Sequence, residues 1–194
     1  MKKIPVLFFT VLFIIMSFTG VYNPVHIPYK PTQIDSMISF AKTNNCNSHI
    51  GIFINFSLRS GSNRFFLVDL DNRKTILSGL CSHGQGKSGF TENVTFSNEI
   101  NSRCSSEGFY KTGRKYKSGF GKAYKLYGLS ATNSNAYDRT IVLHPCKCVP
   151  ETVPDSVSIC KSSGCPQVSP GFFEKLSPYI DKSKQPVLLW VYKD

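Results

Sequence analysis

Acidic side chains are scarce in this 194-residue chain: 12 Asp and Glu face 23 Lys and Arg, for a net charge of +11. Such an excess points to an anionic partner, whether nucleic acid, lipid head groups or a cell-wall polymer. Internal repeats and low-complexity tracts are absent. With 41% hydrophobic and 13% aromatic residues, the composition excludes a disordered or collagen-like chain. No C-x2-C pair occurs, so a zinc ribbon fits poorly. Cysteines number seven, and an odd count leaves at least one outside any intramolecular disulfide.

Charge is missing altogether between Lys3 and Lys30. Met1-Lys2-Lys3 followed by the apolar run Ile4–Val21 has the layout of a secretory signal. The run is also near the lower length limit for a spanning helix, so an uncleaved N-terminal anchor is the alternative. Ser17 and Thr19 are small, but no A-x-A stands there, and no cysteine near the end of the run offers a lipid anchor. Residues 1–21 therefore read as signal peptide or anchor, 22–48 as linker and amphipathic helix, and 49–194 as the main domain. Either N-terminal reading implies export to the periplasm or cell envelope. Without Lys2 and Lys3, 21 basic residues face 12 acidic ones, or +9, and an anionic envelope surface becomes a better partner than nucleic acid.

Pro24 and Pro28 mark an extended linker. Thr32-Gln33-Ile34-Asp35 fits a capping box. Ile34, Met37, Ile38 and Ala41 follow at helical spacing and predict a helix over 32–44. From Ile50 the period shortens to two. Strands are expected at 50–56, 64–70 and 75–81 as an antiparallel meander, and again at 123–129, 140–144 and 186–192. Ser169 as N-cap and Pro170 at the first helical position open a second helix with Phe173, Leu176 and Ile180 as its buried stripe. Residues 83–122, rich in Gly, Ser, Asn and Lys, read as long loops with short strands, a length that often serves function. The fold class is mainly β: a β-rich α+β domain of mixed or antiparallel sheets with a cleft and two or three helices.

His144 ends an apolar strand, and Cys165 sits in the small-residue turn Ser162-Ser163-Gly164-Cys165-Pro166. Small residues let a substrate backbone approach and let N–H groups face a developing oxyanion. A thiol beside an imidazole ionises readily, and the thiolate is the nucleophile. A Cys165 so activated should react well below pH 8. A buried structural cysteine and a satisfied histidine are the plain alternative, and spacing alone does not choose between them. Cys146, Cys148, Cys160 and Cys165 follow C-x-C-x11-C-x4-C; disulfides compete for these residues in an exported chain, and no metal is assigned.

Several segments in order resemble a known family. They are Phe53–Ser57 with Arg64-Phe65-Phe66; Ser82-His83-Gly84-Gln85-Gly86; Phe96-Ser97-Asn98; Cys104-Ser105-Ser106-Glu107-Gly108; Ala136–His144; and Ser162–Pro166. Together they resemble the catalytic domain of YkuD-type murein L,D-transpeptidases, second subfamily, from Ile52 to the C-terminus. The resemblance implies an exported, cofactor-free cysteine enzyme acting on peptidoglycan stem peptides. Cys165 would be the nucleophile and His144 the base. The Ser162-Ser163-Gly164 turn would supply the oxyanion hole, with the Gly164 and Cys165 N–H groups as donors. An acyl-enzyme would pass to a second stem, cross-linking third-position residues, or to water, trimming the terminal D-amino acid.

Supporting roles follow from the same resemblance. His83 and Gly84 would line the substrate cleft, with His83 also an alternative base. Arg139 would pair with a substrate carboxylate or serve a structural salt bridge. Tyr137, more a packing residue, and Lys161 complete the expected substrate-side set. Pro145 replaces the family's usual glycine after the histidine, and Lys161 its usual arginine before the nucleophile turn. Cys160 is expected to pair with Cys146 or Cys148. A non-catalytic wall-binding protein on the same scaffold is the alternative function.

Overall fold

The computed structural model describes residues 29–193 apart from 88, 90, 91 and 120, so the N-terminal apolar run and the linker before Tyr29 lie outside the described residues. Strands β1 (Ile50–Asn55), β2 (Phe65–Asp69) and β3 (Lys74–Gly79) form the expected antiparallel meander. The other strands are β4 (Gly108–Ser118), β5 (Gly121–Gly128), β6 (Val142–Pro145), β7 (Gln167–Val168) and β8 (Leu188–Tyr192). All eight join in the order β3-β2-β1-β8-β4-β5-β6-β7. The sheet is mixed: β8 lies parallel to β1, and β6 parallel to β7.

Period-two alternation divides these strands between two apolar layers. Ile52, Ile54, Phe65, Leu67, Leu189 and Val191 pack with Phe172, Phe173, Leu176 and Ile180 of helix α2 (Pro170–Lys182). The intervening Phe53, Phe66, Val68, Leu188 and Tyr192 pack with Ile34, Met37 and Ala41 of helix α1 (Pro31–Thr43). Strands buried on both faces read as continuous hydrophobic runs, as Ile50–Asn55 does.

α2 starts as expected, with the Ser169 hydroxyl accepting from the Phe172 N–H at 3.2 Å. The α1 start differs. Thr32 does not cap it; Lys30 occupies the N-cap and its N–H donates to Gln33 Oε1 at 2.7 Å. Pro31 is the reason, because its fixed φ suits the first helical position and draws the start upstream. The largest departure lies in 83–122. That segment holds β4, at 11 residues the longest strand. Its solvent side carries Lys and Arg where a strand is usually recognised by β-branched and apolar residues.

Past β3 the chain returns to the far edge of the sheet. Ser82 bridges Gln167 of β7, and Gly84 bridges Ser162, so the sheet nearly closes on itself. The return sets His83 beside the Cys165 turn. Among the described residues no helix is long and apolar enough to cross a membrane.

Candidate active site

The β6–β7 seam holds His144, and the Cys165 turn leads into it. His144 is registered against Gln167, and Cys165 lies two residues before Gln167, just ahead of β7. The Cys165 thiol approaches the Thr140 carbonyl at 3.7 Å. Thr140 has a left-handed φ of 53°, a costly conformation for a β-branched residue and one that clusters at functional sites.

His144 is buried and held through both ring nitrogens. Nδ1 lies 3.0 Å from the Pro145 carbonyl, and Nε2 lies 3.2 Å from the Gln167 side-chain amide. A carbonyl only accepts, so the proton belongs on Nδ1 and Nε2 carries the lone pair. Burial lowers the His144 pKa against the opposing pull of the Pro145 bond, which keeps the imidazole neutral at neutral pH. The Ser82 hydroxyl, 3.1 Å from Gln167 Oε1, fixes the amide's orientation. Pro145, where the resemblance led to an expectation of glycine, supplies the carbonyl that sets the histidine's tautomer.

The thiol behaves differently from the expectation. Burial pushes the Cys165 pKa up, and the Val142 backbone and the Arg139 charge only partly oppose this. Cys165 is therefore a protonated thiol at rest, and reaction well below pH 8 is not what this environment favours.

Gly164 has a φ of +117°, and a Cβ there would lie 2.6 Å from the Cys104 carbonyl oxygen, so only glycine fits. Its N–H donates to Ser162 Oγ at 3.1 Å, and the hydroxyl of Ser105 reaches its carbonyl at 3.5 Å. The Ser162 N–H donates to the His83 carbonyl, and the Gln85 N–H to the Ser162 carbonyl, both at 2.8 Å. Gly84 packs so closely that a Cβ would fall 2.4 Å from the Arg103 carbonyl.

His83 is buried, and its Nδ1 accepts from Arg64 Nη2 at 2.8 Å. Arg64, fully buried, also donates to the Cys81 and Leu58 carbonyls at 2.6 and 3.3 Å and lies over Phe56. Burial lowers its pKa to about 10, which leaves it charged at neutral pH. Arginine cannot accept, so His83 carries its proton on Nε2.

Arg139 does not meet a carboxylate. It donates to the Ser97 and Cys104 carbonyls at 2.8 and 2.5 Å and to the Ser106 and Ser102 hydroxyls at 3.0 and 3.3 Å. It staples the loop over the Ser162–Cys165 turn. Lys161 is likewise occupied, 3.0 Å from Glu92. Burial alone would raise the Glu92 carboxyl, but hydrogen bonds from Ser158, Lys161 and Ser60 hold it below the usual carboxylate range. Tyr137 is exposed, stacked on Tyr127 at 5.6 Å with the Lys125 ammonium 4.8 Å over its ring.

A cleft of about 410 Å³ opens beside the turn, lined in part by Arg103, Arg139, Thr140 and Ser163. Arg103, exposed and with a φ of 57°, was not singled out from the sequence. A lone cation in a Gly- and Ser-rich loop carries no pattern. Gln167 was missed for the same reason, since only its pairing with His144 gives it a role. Cys160 pairs with Cys148, one of its two expected partners, while Cys46, Cys81, Cys104, Cys146 and Cys165 are free. Among the described residues no group of three or more His, Cys, Asp or Glu could hold a metal ion.

A family model for the L,D-transpeptidase catalytic domain matches residues 28–192. No curated protein matches the chain. Among solved structures, the avibactam carbamoyl enzyme of Ldtfm is 11% identical with a TM-score of 0.48, covering 75% of this chain and 49% of its own. The helical cell shape determining protein Pgp2 from Campylobacter jejuni is 13% identical, TM-score 0.46, covering 85% and 57%. An L,D-transpeptidase from Xylanimonas cellulosilytica is 10% identical, TM-score 0.43, covering 79% and 68%. The chain spans about half the length of the first two.

Proposed function

The chain belongs to the L,D-transpeptidase catalytic-domain family, and from that premise we propose that it transfers the acyl end of a peptidoglycan stem peptide through a thioester on Cys165. The observation that supports this best is the β6–β7 register. His144 is registered against Gln167, the Cys165 turn ends just before β7, and a neutral imidazole protonated on Nδ1 turns its Nε2 lone pair to the Gln167 amide. Because the thiol is protonated at rest, its proton leaves to His144 as the sulfur attacks, once substrate has displaced the Gln167 amide from Nε2. The carbonyl attacked joins the third residue to the terminal D-residue. The Cys165 N–H faces the oxyanion, since that of Gly164 is bonded to Ser162 Oγ. Collapse releases the D-amino acid, protonated by His144. The amine of a second stem then takes the acyl group; water in its place gives carboxypeptidase activity.

In this reading Arg103 takes the substrate carboxylate that Arg139 is too occupied to meet, and Arg139, Lys161, His83 and Gly84 hold the walls of the site. The chain acts outside the cytoplasm on the anionic envelope, in line with its charge.

The test incubates tetrapeptide muropeptides with the protein and follows released D-alanine and cross-linked dimer by mass spectrometry. Cys165→Ala should lose at least about 10³-fold in rate. Neither product from the wild-type protein, with wall binding unchanged in Cys165→Ala, would overturn the reading and favour a wall-binding role.

A further inference from the structure

Three sulfurs crowd together outside the site just described. Cys148 is bonded to Cys160, and the free Cys146 places its Sγ 2.7 Å from Cys148 Sγ. The Cys148 N–H also points at Cys146 Sγ, at 3.4 Å. Cys146 is partly accessible and Cys148 exposed. The cluster rests on a small apolar cushion of Leu80, Val149 and Ile159, apart from the two main layers. A free thiol held against one sulfur of a disulfide is the arrangement from which thiol–disulfide exchange proceeds.

We propose that Cys146, Cys148 and Cys160 form a thiol–disulfide exchange site, in which Cys146 displaces Cys160 from Cys148 and which small-molecule thiols of the glutathione class can enter. The step balances without an oxidant. Cys146 gives its proton to solvent, and its sulfur forms a bond to Cys148 Sγ. The electron pair of the broken Cys148–Cys160 bond goes to Cys160 Sγ, which then takes up a proton. One disulfide and one thiol stand on each side.

The two isomers are not structurally equivalent. Cys148–Cys160 closes the segment between them, whereas Cys146–Cys148 releases that segment and ties the chain directly after Pro145. Cys146 is anchored there by its N–H to the Val168 carbonyl at 2.9 Å. Cys148 Sγ also lies 4.0 Å from Gln167 Oε1. As half of a disulfide it has no S–H to donate, so this approach is a contact only. The exchange therefore takes place next to Gln167, which holds His144.

The chain's own lysines and arginines make the isomers separable. Cleavage after Arg139, Lys147 and Lys161 puts Cys146 on one peptide and both Cys148 and Cys160 on the next. The full chain is held at pH 8 with a trace of reduced glutathione, quenched in acid, alkylated and digested without reduction. The expected result is a cross-linked pair of peptides 140–147 and 148–161 with Cys160 alkylated. It should amount to at least about one molecule in a hundred, as for a minor state in equilibrium with the internally bonded 148–161 peptide. Cys146→Ser, which removes no disulfide, should give the internally bonded peptide alone. Wild-type protein yielding only that peptide, with Cys146 fully alkylated after hours at pH 8, would overturn the proposal. The readout does not depend on any enzymatic activity.

Discussion

Three arginines with the same charge have different fates here, and burial decides each. Arg64 is fully buried and spends its donors on two carbonyls and His83. Arg139 is half-buried and staples the loop above the Ser162–Cys165 turn. Arg103 alone presents an exposed guanidinium to the cleft. A charge-assisted bond to a substrate carboxylate is worth about 1.5–3 kcal/mol. Arg103→Gln should therefore raise KM for tetrapeptide substrate by roughly 10–100-fold, with kcat little changed. Its thermal midpoint should stay near that of the wild type, as for surface substitutions generally. Steady-state kinetics beside a melting curve checks both, and an unchanged KM would remove Arg103 from substrate binding. The motif containing Arg139 was legible in the sequence; which of its two expected roles it plays was not, because that depends on the carbonyls of residues 97–104 folding back over it.

Among the elements, α2 was the easiest to read and β7 the hardest. Ser169, Pro170 and the apolar stripe at helical spacing are local signals, and the structure places cap and stripe as the spacing indicated. The cap can be tested in isolation. Ser169→Ala should lower stability by about 1 kcal/mol, seen as a fall in the urea midpoint at unchanged slope. A larger loss, or a changed slope, would mean that the cap also supports β7 next to it. β7 has only two residues and no period of its own, and it exists because β6 and Ser82 offer it partners. β4 was hidden in another way. Its cations look like loop, yet Gly108–Lys111 pair with β8 and Tyr110–Thr112 and Lys115–Ser118 with β5, with Gly113 and Arg114 at a break in register, because neighbouring backbones satisfy the hydrogen bonds.

For the whole molecule, the charge excess has an address. Between Gly108 and Gly128 stand Lys111, Arg114, Lys115, Lys117, Lys122 and Lys125, with no acidic residue. Lys115 pairs with Asp181, and Lys125 lies over Tyr116 and Tyr137. A groove of about 380 Å³ on this ribbon is lined in part by Lys111, Arg114 and Tyr127. If the ribbon meets an anionic envelope polymer, each cation near the surface contributes about 1 kcal/mol. Replacing Lys111, Arg114 and Lys117 by Gln should then weaken retention on an anionic wall polymer by roughly 10²-fold and flatten its salt dependence. Retention unaffected by either the substitutions or salt would place the contact elsewhere.

The sequence by itself determined the meander, the second helix and the family, because these rest on local periodicity and ordered motifs. Only the tertiary structure decided which atoms are available. The nearly closed sheet half-buries Cys165, and this desolvation raises its pKa, against the expectation of a readily ionised thiol. It sets the Pro145 carbonyl and the Gln167 amide on the two nitrogens of His144. It commits Arg139 and Lys161 to partners within the chain and leaves Arg103 at the cleft. Spacing can name a residue type, but desolvation and hydrogen-bond occupancy arise from segments distant in sequence, and these fix what the residue does.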